Sequence, residues 1–351
     1  MLEPADLTTG RRGGVVLADY TTLRLGGPSS DFVLAHSDSE LVETVTAADA
    51  AGTPLLVLGG GSNLVVADEG FAGTVVRVAT KGLSFEPDDE KPARIVVSAA
   101  AGENWDHVVA EAIAQGLAGI ESLSGIPGLV GATPIQNVGA YGTELSDVVT
   151  AVRAFDRVDR VQVTLDAAAC GFGYRTSALK GHHRYLVLGV EISLAPSAKS
   201  APVRYAELAR KLGIELGATA SAGDVRDAVL ELRAAKGMLV DPADPDSLSA
   251  GSFFTNPIVD AAQLPAGAPA WPMPDGRVKT SAAWLIERAG FSRGFGAGAV
   301  GLSTKHTLAL VNRGGASSSE LIAFARTVRD GVRDRFGISL DVEPVLVGLS
   351  L

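Results

Sequence analysis

Residues 124–142 read SGIPGLVGATPIQNVGAYG, and residues 59–64 read GGGSNL. The longer stretch carries five glycines and two prolines in nineteen residues and includes the uncharged polar pair Gln136 and Asn137. Glycine lacks a Cβ, so it tolerates positive φ and lets backbone N–H groups approach a ligand closely, while proline fixes the turns between. Such a segment suits wrapping a phosphate or a flat ring. A long surface loop built from turn residues has the same composition, and composition alone does not choose between them.

The chain has 351 residues, enough for two or three domains. With 46% hydrophobic and 20% charged residues it belongs to the ordinary globular class. A formal charge of -10 argues against a nucleic-acid partner or an anionic membrane surface, though it leaves room for a local basic pocket. The single cysteine, Cys170, forms no intrachain disulfide and suits a reducing cytoplasm. There is no apolar run of transmembrane length and no signal-peptide core at the start, so the expectation is a cytoplasmic protein with no membrane insertion.

Outward from the glycine loops, strand and helix patterns alternate. Short apolar or β-branched runs at 54–58, 74–78 and 95–97 read as strands. Leu41, Val42, Val45 and Ala48 recur at helical spacing, as do Trp105, Val108, Val109, Ala112 and Ile113. The small and proline residues of 195–203 mark a crossing between domains. Beyond it, Val225, Ala228, Val229 and Leu232 outline one helix, and Ala282, Leu285, Ile286 and Ala289 a second. Ser317 and Glu320 form a capping box ahead of a third. Ile338, Leu340 and Val342 then alternate, predicting a strand with Asp341 and Glu343 on its off-core face.

Several motifs are missing. No Walker loop, zinc spacing or nucleophile elbow occurs, His182 and His183 have no companions at metal-ligand spacing, and no metal is implied. A GxGxxG match at Gly296, Gly298 and Gly301 follows a helix-like segment and not a strand, so it reads as a loop.

Together, the two glycine stretches with CGFGYRTS at 170–177, AGSFFTNP at 250–257, KTSAAWLIERAG at 279–290 and LDVEP at 340–344 resemble the UDP-N-acetylenolpyruvoylglucosamine reductase family. The resemblance runs over nearly the whole chain. It implies an α+β fold: an FAD-binding domain of the vanillyl-alcohol oxidase (PCMH) type made of two α+β lobes, plus a smaller α+β substrate-binding domain. The expected division is a flexible tail at 1–14, the FAD-binding domain at 15–198 and the substrate-binding domain at 199–351. The implied reaction reduces UDP-N-acetylglucosamine enolpyruvate to UDP-N-acetylmuramate with NADPH and non-covalent FAD, in peptidoglycan precursor synthesis, by a monomer. Tyr205, in VRYAEL, is similar to the tyrosine of the family's longer subtype, which a mobile loop places over substrate.

Residue by residue, the resemblance assigns FAD to Gly59, Gly60, Gly61, Ser62, Asn63 and Leu64, and to Ser124, Gly125, Ile126, Pro127, Gly128, Gly131, Ala132, Gln136, Asn137, Gly139, Ala140 and Tyr141. It assigns substrate binding to Tyr174, Tyr205, Lys236 and Asn256, and catalysis to Arg175, Ser252 and Glu343. The chemistry matches these residue types. Hydride from reduced FAD N5 adds to the methylene carbon and leaves negative charge on the carbon bearing the carboxylate, which a proton then quenches. Arg175 offers a planar, permanently charged fork for that carboxylate. Ser252 is the implied proton donor, because a carbanion beside a carboxylate is basic enough to take a hydroxyl proton. Glu343 is implied to stabilise the intermediate. Without the motifs, Arg175 reads as a surface arginine, Ser252 as a turn serine, Glu343 as a solvated strand residue and Lys236 as a helix C-cap. Two rivals stay open. A flavin oxidase of the same fold needs a histidine or cysteine placed for covalent flavin attachment, and Cys170 and all five histidines lie outside the glycine loops. A non-catalytic nucleotide-binding module needs none of Arg175, Ser252 and Glu343.

Overall fold

The computed structural model describes residues 11–241 and 243–351. In the first lobe, strands Ser29–Ala35, Phe71–Val78 and Leu55–Leu58 lie side by side and parallel. Helix α1 (Asp38–Ala51) makes the crossover between the first and last of them; Ser37 caps its start and Gly52, at φ 62°, ends it. Of the expected helical stripe, Leu41, Val45 and Ala48 are buried and Val42 is half-buried. Residues 11–14, expected in the tail, are tied to this lobe: Arg11–Arg12 pairs with the strand at 29–35, and the Gly14 N–H donates to the Ser29 carbonyl at 2.9 Å. The rest of the expected tail, 1–10, lies outside the described residues.

The second lobe is an antiparallel sheet in the order Val161–Asp166, Val149–Asp156, Tyr185–Pro196, Ile95–Ala100, Leu83–Pro87. Helix α2 (Trp105–Ala114) covers it, burying Trp105, Val108, Val109 and Ala112. Ala35, Leu41 and Val76 of the first lobe share one core with Leu129, Phe155 and Leu188 of the second, so the lobes are packed as a unit.

After Pro196 the chain enters a helical hairpin, α3 (Ala206–Leu212) and α4 (Ala222–Ala235), with a small core of its own that also holds Tyr141. The hairpin packs back on the second lobe: Arg226 forks onto Asp106 at 2.6 and 2.9 Å, and Arg233 Nε donates to the Gly125 carbonyl at 3.1 Å. Residues 250–342 form a separate core with helices α5 (Ala282–Arg288) and α6 (Ser318–Phe336), and Leu23, Leu25 and Val65 from the N-terminal part sit inside it. Core membership therefore does not divide cleanly at the expected 198/199 boundary. The capping box at the start of α6 is formed reciprocally by Ser317 and Glu320, and Gly337 ends the helix at φ 69°.

The strand expected across Ile338, Leu340 and Val342 is not regular. The alternation holds, since Ile338 and Leu340 are buried, but only Val342 bridges to Phe254. The last strand is Val345–Val347, parallel to Leu64–Val66 directly after the first glycine loop. Pairing is delayed because Leu340 and Val342 face the core of residues 250–342, and the backbone must cross from that core to the first lobe before it can form a ladder.

The GxGxxG match is a loop running into strand Val300–Leu302, as expected. A Cβ at Gly301 would lie 2.3 Å from the Arg313 guanidinium, so this glycine serves side-chain packing.

Candidate active site

The two glycine stretches touch. A Cβ on Gly60 would sit 2.6 Å from Gly128 Cα, and Ser62 Oγ donates to the Pro127 carbonyl at 3.0 Å. Gly61 has φ 63°, and a Cβ there would fall 1.8 Å from the Tyr20 carbonyl oxygen. Glycine is thus demanded at 60 and 61 by close backbone approach and, at 61, by a left-handed conformation. Among the described residues none accepts a hydrogen bond from the backbone N–H groups of Gly60, Gly61, Ser62 or Asn63. A tight turn with several unpaired amides on one short arc is a fitting receptor for a pyrophosphate. These residues fit FAD.

The longer stretch is less uniform than its composition. Ser124 is fully buried and its hydroxyl donates to the Glu121 carbonyl at 2.7 Å, while the Gly125 N–H donates to Asp106 at 2.6 Å. Asn137, at φ 47°, is buried and joins Glu144, Gly173 and Ser146 through its side chain. Gly131 N–H donates to the Ala101 carbonyl at 2.9 Å. These groups build the loop and have little left for a ligand. Gln136 faces the other loop, accepting from Asn63 Nδ2 at 3.0 Å. Ile126 and Ala140 pack against the core of the second lobe.

Asn63 is the hinge of the arrangement. Its Nδ2 also donates to the Glu343 carbonyl at 3.3 Å, and its carbonyl accepts from the Val345 N–H at 2.9 Å. The parallel strand pair thereby delivers Glu343 to the glycine loop. There Arg175 Nε meets Glu343 Oε1 at 3.1 Å, with only 22% and 15% of the two side chains exposed. Glu343 is therefore neither solvated nor simply turned away from a core. Burial lifts its carboxyl above the usual carboxylate range, opposed by Arg175 and Lys180. Arg175 adopts φ 54° and anchors its fork by donating from Nη2 to the Gly139 carbonyl at 2.9 Å. Lys180 Nζ ties the turn down on the Arg175 carbonyl at 2.8 Å.

Tyr174 lies under two cations: the Lys279 ammonium is 4.4 Å from its ring centroid and the Arg175 guanidinium 5.5 Å. Burial raises its phenol, with the Arg175 charge working against the shift. The Asn256 side-chain Oδ1 accepts the first free N–H of α5, from Ala282, at 3.0 Å. Ser252 follows Gly251, which has φ 71°, and the next residue is held on both sides: Phe253 N–H donates to Leu308 at 2.7 Å, and its carbonyl accepts from the Glu343 N–H at 2.9 Å. Ser252 Oγ lies 3.5 Å from His306 Nε2.

A second group stands beside the first. Tyr205 meets Tyr141 edge to face at 5.5 Å, and Lys236 lies 5.6 Å from the Tyr141 ring centroid while paired with Glu207 at 2.5 Å. Lys236 is the C-cap of α4, as its position at the end of a helix pattern suggests. Burial pushes the Tyr141 phenol up to about 12. None of Lys180, Lys279 and His306 is marked as a site residue by the sequence patterns. Lys180 follows Arg175 by five positions and Lys279 heads a family stretch, but a surface role was equally legible for both.

Cys170 is buried in the core of the second lobe, and burial pushes its thiol up to about 11. It packs as a small hydrophobe and offers no reactive thiolate for a flavin.

Residues 30–164 match the FAD binding domain family and residues 242–347 match the family described as UDP-N-acetylenolpyruvoylglucosamine reductase, C-terminal domain. The UDP-N-acetylenolpyruvoylglucosamine reductase of Thermobifida fusca (strain YX) is 56% identical, over 98% of this chain and 100% of that protein. This chain belongs to the UDP-N-acetylenolpyruvoylglucosamine reductase family. The reductase of Saccharopolyspora erythraea is 55% identical over 97% of this chain and 96% of its own length. Among solved structures, the reductase from Thermus caldophilus superimposes with a TM-score of 0.65 at 27% identity, covering 97% of this chain and 99% of that one. As a UDP-N-acetylenolpyruvoylglucosamine reductase family member the chain is an oxidoreductase whose cofactor is FAD, on the expected α+β fold. No helix among the described residues is long and apolar enough to cross a membrane.

Proposed function

We propose that this protein reduces UDP-N-acetylglucosamine enolpyruvate to UDP-N-acetylmuramate at the expense of NADPH, as a cytoplasmic monomer supplying peptidoglycan precursors. The observation that carries the reading is the half-buried Arg175–Glu343 pair, at 3.1 Å, hung on Asn63 of the glycine loop and on the carbonyl next to Ser252. A buried ion pair costs desolvation energy and is weak evidence for a stabilising role, so its position beside the cofactor loop points to chemistry.

When bound, FAD supplies the hydride that reaches the substrate's methylene carbon. This chain's residues do the rest. The Arg175 guanidinium binds the substrate carboxylate and offsets the charge that grows on the neighbouring carbon. Glu343, with its carboxyl raised by burial and held on Arg175, supports the same group. Ser252 Oγ–H gives its proton to that carbon. Tyr174 and Asn256 border the reacting end, and Tyr205 and Lys236 hold the diphosphate-sugar end, where phosphate must draw Lys236 away from Glu207. In this reading residues 15–198 bind FAD and residues 199–351 bind substrate.

The test uses purified protein under anaerobic conditions. It should be yellow with a flavin spectrum, bleach on adding NADPH, and regain colour on adding UDP-N-acetylglucosamine enolpyruvate. Protein that stays colourless after incubation with FAD, or bleached protein that only oxygen reoxidises, would overturn the proposal; the second outcome would favour the oxidase reading.

A further inference from the structure

Among the described residues, His306 is the one imidazole within hydrogen-bonding range of a proposed catalytic group. Its turn is fastened on three sides. The His306 N–H donates to Ser303 Oγ at 3.2 Å, its carbonyl accepts from the Ala309 N–H at 3.1 Å, and the adjacent Lys305 ammonium is held by Asp244 at 2.7 Å. The serine side is equally fixed, because the Phe253 N–H donates to the Leu308 carbonyl two residues beyond the histidine. Both partners of the 3.5 Å contact are therefore carried by one hydrogen-bonded frame, and hydrogen bonds of this kind tighten when a cleft is filled.

We propose that His306 is a positioning residue for Ser252: Nε2–H donates to Ser252 Oγ, turns the hydroxyl proton away from the imidazole toward the substrate, and steadies the oxygen as the proton leaves. The proposal rests on Ser252 being the proton donor. In the step, the Ser252 Oγ–H bond breaks as a C–H bond forms, the electron pair stays on Oγ under the Nε2–H hydrogen bond, and water returns the proton afterwards. Ionisation supports this direction. Burial, reinforced by Lys236, Arg293 and Arg233 and opposed by Glu207, pushes the imidazole down to about 4, so the ring is neutral at pH 7. So weak a base does not strip a serine hydroxyl, which sets this pair apart from a serine nucleophile activated by histidine. A neutral ring can still donate one N–H, and in a half-buried site a donor aimed at a developing oxyanion is worth far more than in water.

The experiment compares the FAD-loaded parent with His306→Leu, His306→Gln, His306→Asn and Ser252→Ala, in separate anaerobic stopped-flow measurements of bleaching by NADPH and of colour return with UDP-N-acetylglucosamine enolpyruvate. Colour return in His306→Leu should slow by roughly 100-fold, as for loss of one oxyanion donor, while bleaching changes by less than about threefold. Glutamine places an N–H near the Nε2 position and should recover most of the rate; asparagine, one methylene shorter, should not. Colour return at the parent rate in His306→Leu, with Ser252→Ala still blocked, would overturn the His306 inference alone. Equal rates in the glutamine and asparagine variants would also overturn it, and that comparison carries the test if the leucine variant does not hold FAD. A Ser252→Ala protein that regains colour normally would remove the proton-donor reading and this inference with it.

Discussion

Arg175 and Glu343 meet because two unusual local geometries coincide: an arginine at φ 54°, and a glutamate that precedes a strand instead of lying within one. The first was hidden in a glycine-flanked tyrosine–arginine turn and the second in an alternation that looked solvent-facing, so only the family stretches marked either residue. Their pairing predicts a pH signature. The Glu343 carboxyl sits above its ordinary value of 4.5, so its contribution to stability is fully present below that value and is lost as pH rises through the raised one. Glu343→Gln cannot titrate; its melting temperature relative to the parent should climb as pH is raised above 4.5, measured by thermal melts at stepped pH. A difference that stays flat with pH would contradict the burial argument. Arg175→Lys keeps the charge but loses the fork that reaches both Gly139 and Glu343, so colour return should fall by roughly 100-fold with FAD still bound, read by stopped-flow absorbance.

Elements were more legible than their connections. Helices α1, α2, α4, α5 and α6 stand where apolar periodicity and caps place them, because each buries a single stripe against a sheet or a neighbouring helix. Strand Tyr185–Pro196 escaped the period-two test because it is buried on both faces and reads as a continuous apolar run. The glycine loops were legible as a pair, but not the division of labour between them, in which the shorter loop keeps free amides and much of the longer one is spent on Asp106, Glu144 and Ala101. Gly60→Ala tests the contact between the loops. With Gly128 Cα only 2.6 Å from the new Cβ, the loops must part. At about 1–3 kcal/mol of overpacking, FAD affinity measured by fluorescence titration should drop by roughly 5- to 150-fold. Unchanged affinity would mean the loops do not share the cofactor. Asp106 is the corresponding test from the helix side. Burial works to raise its carboxyl, but hydrogen bonds from Arg226 and from the Gly125 N–H outweigh that and hold it below the usual range. Asp106→Asn should therefore lower the melting temperature, by an amount that shrinks as the pH falls through the carboxyl range; equal effects at all pH values would contradict it.

At the scale of the whole molecule, the site is made by the chain returning on itself. Val345–Val347 pairs with Leu64–Val66, Leu23 and Val65 sit in the core of residues 250–342, and the α3–α4 hairpin clamps Gly125. None of these long-range contacts leaves a local pattern, so the small and proline residues of 195–203 suggest a linear division where the cores in fact interlock. Val347→Asp, which would bury an unpaired carboxylate beside the first glycine loop, should lower both the melting temperature and FAD affinity although Val347 lies in the last strand and was never assigned to the cofactor. Parent-like FAD titration and melting would show that the strand pair does not support the loop. The most direct test of the account is a crystal structure of the protein with FAD and UDP-N-acetylglucosamine enolpyruvate bound. The account predicts the pyrophosphate on the amides of residues 60–63, with the enolpyruvyl carboxylate on Arg175 and Ser252 Oγ within hydrogen-bonding reach of the carbon that takes the proton. Ser252 and Arg175 facing away from the bound ligands would contradict it.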